Sequence, residues 1–198
     1  DRPQPAENRG CHSECEDVKA MKLALENLLN SDKILDCKDA GTTLRFLALR
    51  VSREKGTFVL KGSKRLFSRP QIELINILNQ LGVFIEINEN SMIIKSEGWI
   101  IPPNGIVIDR SISSQFASAI VLSSWNLEED LRIHFIGENV SEGYFELTKK
   151  MVVDHGMMID QLTPNQLIIK KHAKITAETI VVESDLSSIF ALASIAVL

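Results

Sequence analysis

Residues 111–116, "SISSQF", put three serines and a glutamine in front of an apolar run. A helix start leaves about four backbone N–H groups unpaired and carries about half a positive charge. Hydroxyls from Ser113 and Ser114 add donors there, and such a cluster suits a phosphate oxygen. Plain N-capping explains one serine well and two tolerably. It does not explain Gln115, a poor cap whose amide can donate to an anion. On this string alone, cap and anion site stand about even.

Three further strings carry chemistry of the same kind. "KGSKRLFSRP", residues 61–70, places Lys61, Lys64, Arg65 and Arg69 in a Gly-Ser loop before a helix expected to start at Pro70. A solvated basic loop is the ordinary reading. Yet Arg69 abuts that helix start, where a cation is misplaced unless an anion joins it. In "DAGTTLR", residues 39–45, Gly41 lets backbone approach a ligand closely, and Thr42 and Thr43 offer hydroxyls. It is not a P-loop, since GxxxxGK[ST] is absent. In "SEGY", Ser141 is expected to cap a helix with Tyr144 one turn inside, and a cap plus a core aromatic suffices for that string alone.

Other reactive types are less organised. His12, His134, His155 and His172 show no HExxH and no Ser/His/Asp spacing, so His134 and His155 are read as structural. Cys11, Cys15 and Cys37 are an odd number, which fits free thiols in a reducing cytoplasm. "CHSEC" offers half a zinc site without a matching pair, so no metal is expected.

The elements that must position these residues repeat. A helix is expected from Glu16 in "EDVKAMKLALENLL", then a strand "KILDC". Residues 41–96 read as helix (Thr42–Val51), strand (Thr57–Leu60), helix (Pro70–Leu81) and a hairpin of "VFIEI" and "SMIIK". Residues 113–171 repeat that order: helix Ser113–Ser124, strand "LRIHFI", helix Glu142–His155, and a hairpin of "MMIDQL" and "QLIIKK". Gly82 and Gly156, which end the second helix of each copy, lie 74 residues apart. The order starts again with "TIVVES" and "DLSSIFALASIAVL". Element order, spacing and helix-start chemistry agree, which implies an α/β fold of repeated βαβαββ units whose helices pack on sheets shared between neighbours.

Composition sets the frame. The 198 residues are 44% hydrophobic and 24% charged, ordinary for a globular chain, with a net charge of −4 that suggests neither a nucleic-acid nor a membrane binder. No apolar run reaches the length of roughly 18 residues expected of a spanning helix. Residues 1–15 read as a flexible or residual segment, 16–175 as one lobe, and 176–198 as the start of the next repeat. The apolar run ending at Leu198 is expected to dock on further structure.

Together the strings resemble the enolpyruvyl transferase family, specifically its 5-enolpyruvylshikimate-3-phosphate synthase members. "DAGTTLRFL" is similar to the family's Asn-Ala-Gly-Thr-x-x-Arg, "RLFSRP" to Arg-x-x-x-Arg-Pro, "SISSQF" to Ser-x-Ser-Ser-Gln, "SEGYFELT" to Ser-x-x-Tyr-x-x-x-Thr, and "ESDLSS" to Gly-Asp-x-Ser-Ser. They occur in family order over residues 16–198. The resemblance implies one lobe of the two-lobed, inside-out α/β barrel fold, with the active site in the cleft between lobes. It implies transfer of the enolpyruvyl group of phosphoenolpyruvate to the 5-hydroxyl of shikimate 3-phosphate, by addition and elimination, in a cytoplasmic enzyme expected to be monomeric and to need no cofactor.

Residue by residue, the resemblance assigns Ser113, Ser114 and Ser141 to the shikimate phosphate, Gln115 to both substrates, and Tyr144 to the shikimate site. It assigns Arg69 to the phosphate of phosphoenolpyruvate, with Gly41 and Thr42 against the same substrate, and leaves Arg45 as a support for the loop. Asp39 stands where the family has asparagine, and Glu142 and Gly143 where it has Lys-Pro. The family's catalytic aspartate and its N-terminal Lys-Ser have no match; Asp185 belongs to the Asp-x-Ser-Ser string instead. The chain is therefore expected to supply the shikimate-3-phosphate-binding lobe, to need the second lobe as partner, and to be inactive alone. Two alternatives stand beside this: the related enzyme acting on a UDP-sugar, whose usual loop cysteine is missing from residues 61–70, and a scaffold whose serines only cap helices.

Overall fold

The computed structural model describes residues 15–138 and 140–176, which lie within one compact unit, Glu14–Thr176. After α1 (Glu16–Leu29), the first repeat runs β1 (Ile34–Asp36), α2 (Gly41–Val51), β2 (Gly56–Lys61), α3 (Lys64–Ser68), α4 (Ile72–Gln80), β3 (Phe84–Asn88) and β4 (Ser91–Ser96). The second runs β5 (Ile106–Asp109), α5 (Gln115–Ser123), β6 (Leu131–Ile136), α6 (Glu142–Asp154), β7 (Ile159–Thr163) and β8 (Gln166–Ile169). "TIVVES", "DLSSIFALASIAVL", Cys11, His12 and Asp185 lie outside the described residues.

Each repeat builds a four-stranded sheet of the same design, β1-β2-β4-β3 and β5-β6-β8-β7. The first pair in each is parallel and the other pairs are antiparallel. Val59 stands opposite Ile34 and Ile93; its counterpart Ile133 stands opposite Ile106 and Leu167. Among the described residues the two sheets are separate rather than shared between repeats, which corrects the sequence reading. Side chains of α4 cover β5 instead. The Val107 N–H donates to Gln80 Oε1 at 2.8 Å, Gln80 Nε2 donates to the Val107 carbonyl at 2.9 Å, and the Asp109 N–H donates to Glu73 Oε1 at 2.7 Å. A strand edge satisfied this way offers no ladder to a neighbouring sheet.

At the centre lie α2 and α5. Leu44, Leu47, Ala48, Leu49 and Val51 of α2 are buried, as are Phe116, Ala117, Ala119, Ile120 and Val121 of α5. A helix buried nearly all round belongs inside the fold, and each buried leucine contributes on the order of 2 kcal/mol. The sheets alternate, burying Phe58, Leu60, Met92 and Ile94 in one and Leu131, Ile133, Leu167 and Ile169 in the other. Contacts at both ends make α2 and α5 parallel. Gln115 meets Thr42 and Arg45 at the starts, and Arg53, just past α2, donates to the carbonyls of Ser123 and Asn126 at the far end.

Several local expectations need correction. The βαβαββ order implied a strand before the Ser113 helix but did not place β5, and α3 had no counterpart in the sequence reading. α3 is a short helix inside the supposed Gly-Ser loop, capped by Ser63, whose Oγ accepts from the Leu66 N–H. α4 starts at Ile72 rather than Pro70, and α5 at Gln115 rather than Ser113. Arg69 is thus the residue after α3, not a neighbour of the α4 start.

Candidate functional site

The hydroxyl-bearing helix starts converge on one cleft of about 400 Å³. The start of α2 contributes Thr42, the turn into α5 contributes Ser113, Ser114 and Gln115, and the turn into α6 contributes Ser141 and Tyr144. Thus the five residues assigned to the shikimate phosphate and ring share one cavity, and Thr42 joins them. Parallel α2 and α5 bring two positive dipole ends together, an arrangement that an anion stabilises. The far end of α5 is already compensated: Arg53 donates to the carbonyls of Ser123, Trp125 and Asn126. The near ends receive further cations instead, Arg45 and Arg69.

The hydroxyls are only partly spent on capping. Ser113 Oγ accepts from the Gln115 N–H at 3.2 Å, which leaves its own hydrogen to donate. Ser114 occupies the N-cap position of α5 but makes no side-chain capping bond. Ser141 is the N-cap residue of α6, and it too makes no capping bond, contrary to the sequence reading. It adopts φ 60°, ψ 42°, the left-handed region, where a residue with a Cβ is strained by roughly 1–2 kcal/mol. Tyr144 is 65% exposed and so is no core aromatic.

Gln115 ties the α2 and α5 starts. Its Nε2 donates to Thr42 Oγ1 at 3.1 Å, while its Oε1 accepts from Arg45 Nη1 at 2.5 Å. Arg45 is buried beneath the first turn of α2, its guanidinium 4.9 Å from the Phe116 ring centre. Burial, and secondarily the nearby Arg69 charge, hold its pKa below the ordinary arginine value.

Arg69 and Gly41 lie apart from this cleft. The Arg69 guanidinium covers Gly41, so the space that glycine opens is taken by the arginine rather than left for a ligand. Arg69 lines a second cleft of about 470 Å³ with Asp39, Arg65 and Leu66. Asp39 turns toward α3, its Oδ1 accepting from the Ser63 hydroxyl. Gly41 and Thr42 are adjacent, so the first turn of α2 separates the two clefts.

A family model described as EPSP synthase (3-phosphoshikimate 1-carboxyvinyltransferase) matches residues 11–198. The chain belongs to the EPSP synthase family. Among curated family members, a 3-phosphoshikimate 1-carboxyvinyltransferase from Bacteroides fragilis (strain YCH46) is 30% identical over 79% of this chain and 38% of its own length. One from Psychromonas ingrahamii is 34% identical over 76% of this chain and 36% of its own length. The chain therefore spans little more than a third of these relatives. An EPSP synthase structure from Acinetobacter baumannii has a TM-score of 0.57 over 72% of this chain and 31% of that one, at 20% identity, which supports a common fold.

Within the EPSP synthase frame, sequence reasoning passed over two hydroxyls. Thr148 and Ser118 also line the first cleft, and Thr148 Oγ1, which donates to the Tyr144 carbonyl at 2.9 Å, lies 2.9 Å from Ser118 Oγ. Thr148 was available as the last position of the Ser-x-x-Tyr-x-x-x-Thr string. Ser118 carried no signal beyond one helical turn from Ser114. The two histidines have structural surroundings: His134 Nε2 meets the Asn104 carbonyl and Nδ1 meets Gln166, and His155 Nδ1 meets the Met151 carbonyl.

Proposed function

We propose that this chain forms the shikimate-3-phosphate-binding part of an enzyme that moves the enolpyruvyl group of phosphoenolpyruvate to the 5-hydroxyl of shikimate 3-phosphate, releasing phosphate. The observation that carries the reading is the single cleft around which Ser113, Ser114, Gln115, Ser141 and Tyr144 gather. In this reading the serine hydroxyls and the first-turn N–H groups hold the phosphate. Gln115 reaches both substrates, and the Tyr144 ring lies against the carbocycle. Arg69, over the start of α2, takes the phosphate of phosphoenolpyruvate, with Gly41 and Thr42 beside it. No cofactor takes part.

Charge builds up on the tetrahedral intermediate of the addition step, and its stabilisation needs fixed donors on more than one side. This chain offers donors from the helix-start side. The groups that move protons are assigned to parts of the enzyme outside residues 1–198, so the chain alone binds substrate without turning it over. The parent enzyme is inferred to be a cytoplasmic monomer with a second lobe; among the described residues no helix is long and apolar enough to cross a membrane.

The test is a titration of shikimate 3-phosphate against the chain and against a Ser113→Ala/Ser114→Ala double variant. Saturable binding that the double variant loses is expected. Equal binding by both proteins, or none by the unmodified chain, would overturn the assignment and leave the serines as elements of a scaffold.

A further inference from the structure

We propose that Arg45 is a positioning residue: from the buried side of α2 it fixes which end of the Gln115 amide faces the cleft. The proposal rests on the reading of that cleft as a phosphate-ligand site, and it gives Arg45 a different task from bracing a loop.

Arg45 is 5% exposed, and its Nη1 donates to Gln115 Oε1 at 2.5 Å. A guanidinium has donors only, so it can accept no other presentation of the amide than the oxygen end. The nitrogen end is thereby turned outward, where one Nε2 hydrogen goes to Thr42 Oγ1 at 3.1 Å. The second hydrogen is left for a ligand. Thr42, having accepted, keeps its own hydroxyl hydrogen to give. Both groups line the cleft, so each presents a donor to an anion. A chain of hydrogen bonds that begins at a buried cation polarises each member in turn, which strengthens the donors at its end.

The loop-bracing contact is weak by comparison. Arg45 Nη2 reaches the Pro70 carbonyl at 3.5 Å, the outer limit of a hydrogen bond. Arg45 Nε is buried without a partner, and among the described residues no carboxylate offsets the charge. A buried guanidinium kept at such a cost is out of proportion to one long bond to a loop. Without Arg45 nothing distinguishes the two ends of the Gln115 amide, and a flipped amide would point an acceptor at an anion.

Two measurements test this on the full chain. The first needs no ligand. In the unmodified protein, nuclear Overhauser contacts between the Gln115 Nε2 hydrogens and the Thr42 side chain are expected, and Arg45→Met should abolish them. Their persistence in Arg45→Met would overturn the proposal. The second is a double-mutant cycle read by shikimate 3-phosphate titration. Arg45→Met should weaken binding by about tenfold, the scale of one charge-assisted hydrogen bond, but by less than about twofold in a Gln115→Ala background. Equal loss in both backgrounds would show a general structural role and overturn it.

Should Arg45→Met fail to fold, Gln115→Glu replaces it. That change keeps the bond to Arg45 as an ion pair and removes the outward donor, so binding should fall while thermal stability holds. Undiminished binding would refute the role of the Nε2 donor. If the unmodified chain binds no shikimate 3-phosphate, the function proposed above falls, whereas the ligand-free contacts still decide what Arg45 does.

Discussion

The Arg69 guanidinium occupies the space that a side chain at Gly41 would need. A Cβ built there would fall 2.5 Å from Nη1 and 3.0 Å from Cζ. The backbone at Gly41 is ordinary helix, so alanine fits the conformation and favours the helix by up to about 1 kcal/mol. Gly41→Ala should therefore hold or raise the thermal midpoint while it pushes the arginine off the α2 start. Affinity for phosphoenolpyruvate, read by titration, should drop by about tenfold, the scale of one charge-assisted hydrogen bond. Unchanged affinity would mean that Arg69 does not hold this anion.

Ser141 gives a second case in which stability and binding part. Its left-handed backbone is a conformation glycine adopts without penalty, whereas its side chain caps nothing and the residue lines the cleft. Ser141→Gly should gain roughly 0.5–1 kcal/mol in a denaturant titration, as relief of strain predicts. The same variant should bind shikimate 3-phosphate more weakly. A loss of stability would show that the serine side chain supports the α6 start after all.

How far the sequence foresees this site depends on the range of the interaction involved. Helix starts, the glycines that end helices and the two hairpins follow from local chemistry, and the structure has them near their expected places. Residues 64–68 could not be read that way. "KRLFS" is too short for a helical period, and its cap, Ser63, looked like part of a loop. β5 offers four residues after a Pro-Gly-rich stretch, and its pairing partner lies beyond an intervening helix. Arg45 and Gln115 are 70 positions apart, so the bond between them is a property of helix packing. The gathering of Ser113 and Ser141 around one cleft likewise waits on α5 and α6 being neighbours; the family motifs named these residues before any geometry could.

Gln80 should prove costly to remove for a residue near the surface. Its amide makes two bonds to the backbone of Val107, one through each end, and so finishes the edge of the second sheet. Gln80→Ala returns both Val107 groups to solvent and should destabilise the fold by about 1–2 kcal/mol, at about 1 kcal/mol per net hydrogen bond. Gln80→Glu keeps the acceptor and loses the donor, so it should cost about half as much. Hydrogen exchange at the Val107 amide reports the contact directly and should accelerate in Gln80→Ala. Slow exchange there would mean that something other than Gln80 protects the strand.

Cys37 predicts how stability falls at high pH. The thiol, on the residue just after β1, is fully buried, and burial, aided by the Asp36 charge, pushes its pKa from 9.0 to about 12. The folded protein keeps the neutral thiol, while the unfolded chain ionises near its ordinary value. Below pH 9 both states hold the proton, so the full stability is present. Between about 9 and 12 only the unfolded state releases it, and stability should fall by about 1.4 kcal/mol per pH unit from this group. Other groups titrate in that window, so the measurement is the difference between the unmodified protein and Cys37→Ala in urea unfolding under reducing conditions. Cys37→Ala carries a constant offset for its lost volume but no thiol. The difference should be flat from pH 7 to 9 and then narrow steadily. A difference that stays flat through pH 11 would place the thiol in contact with water.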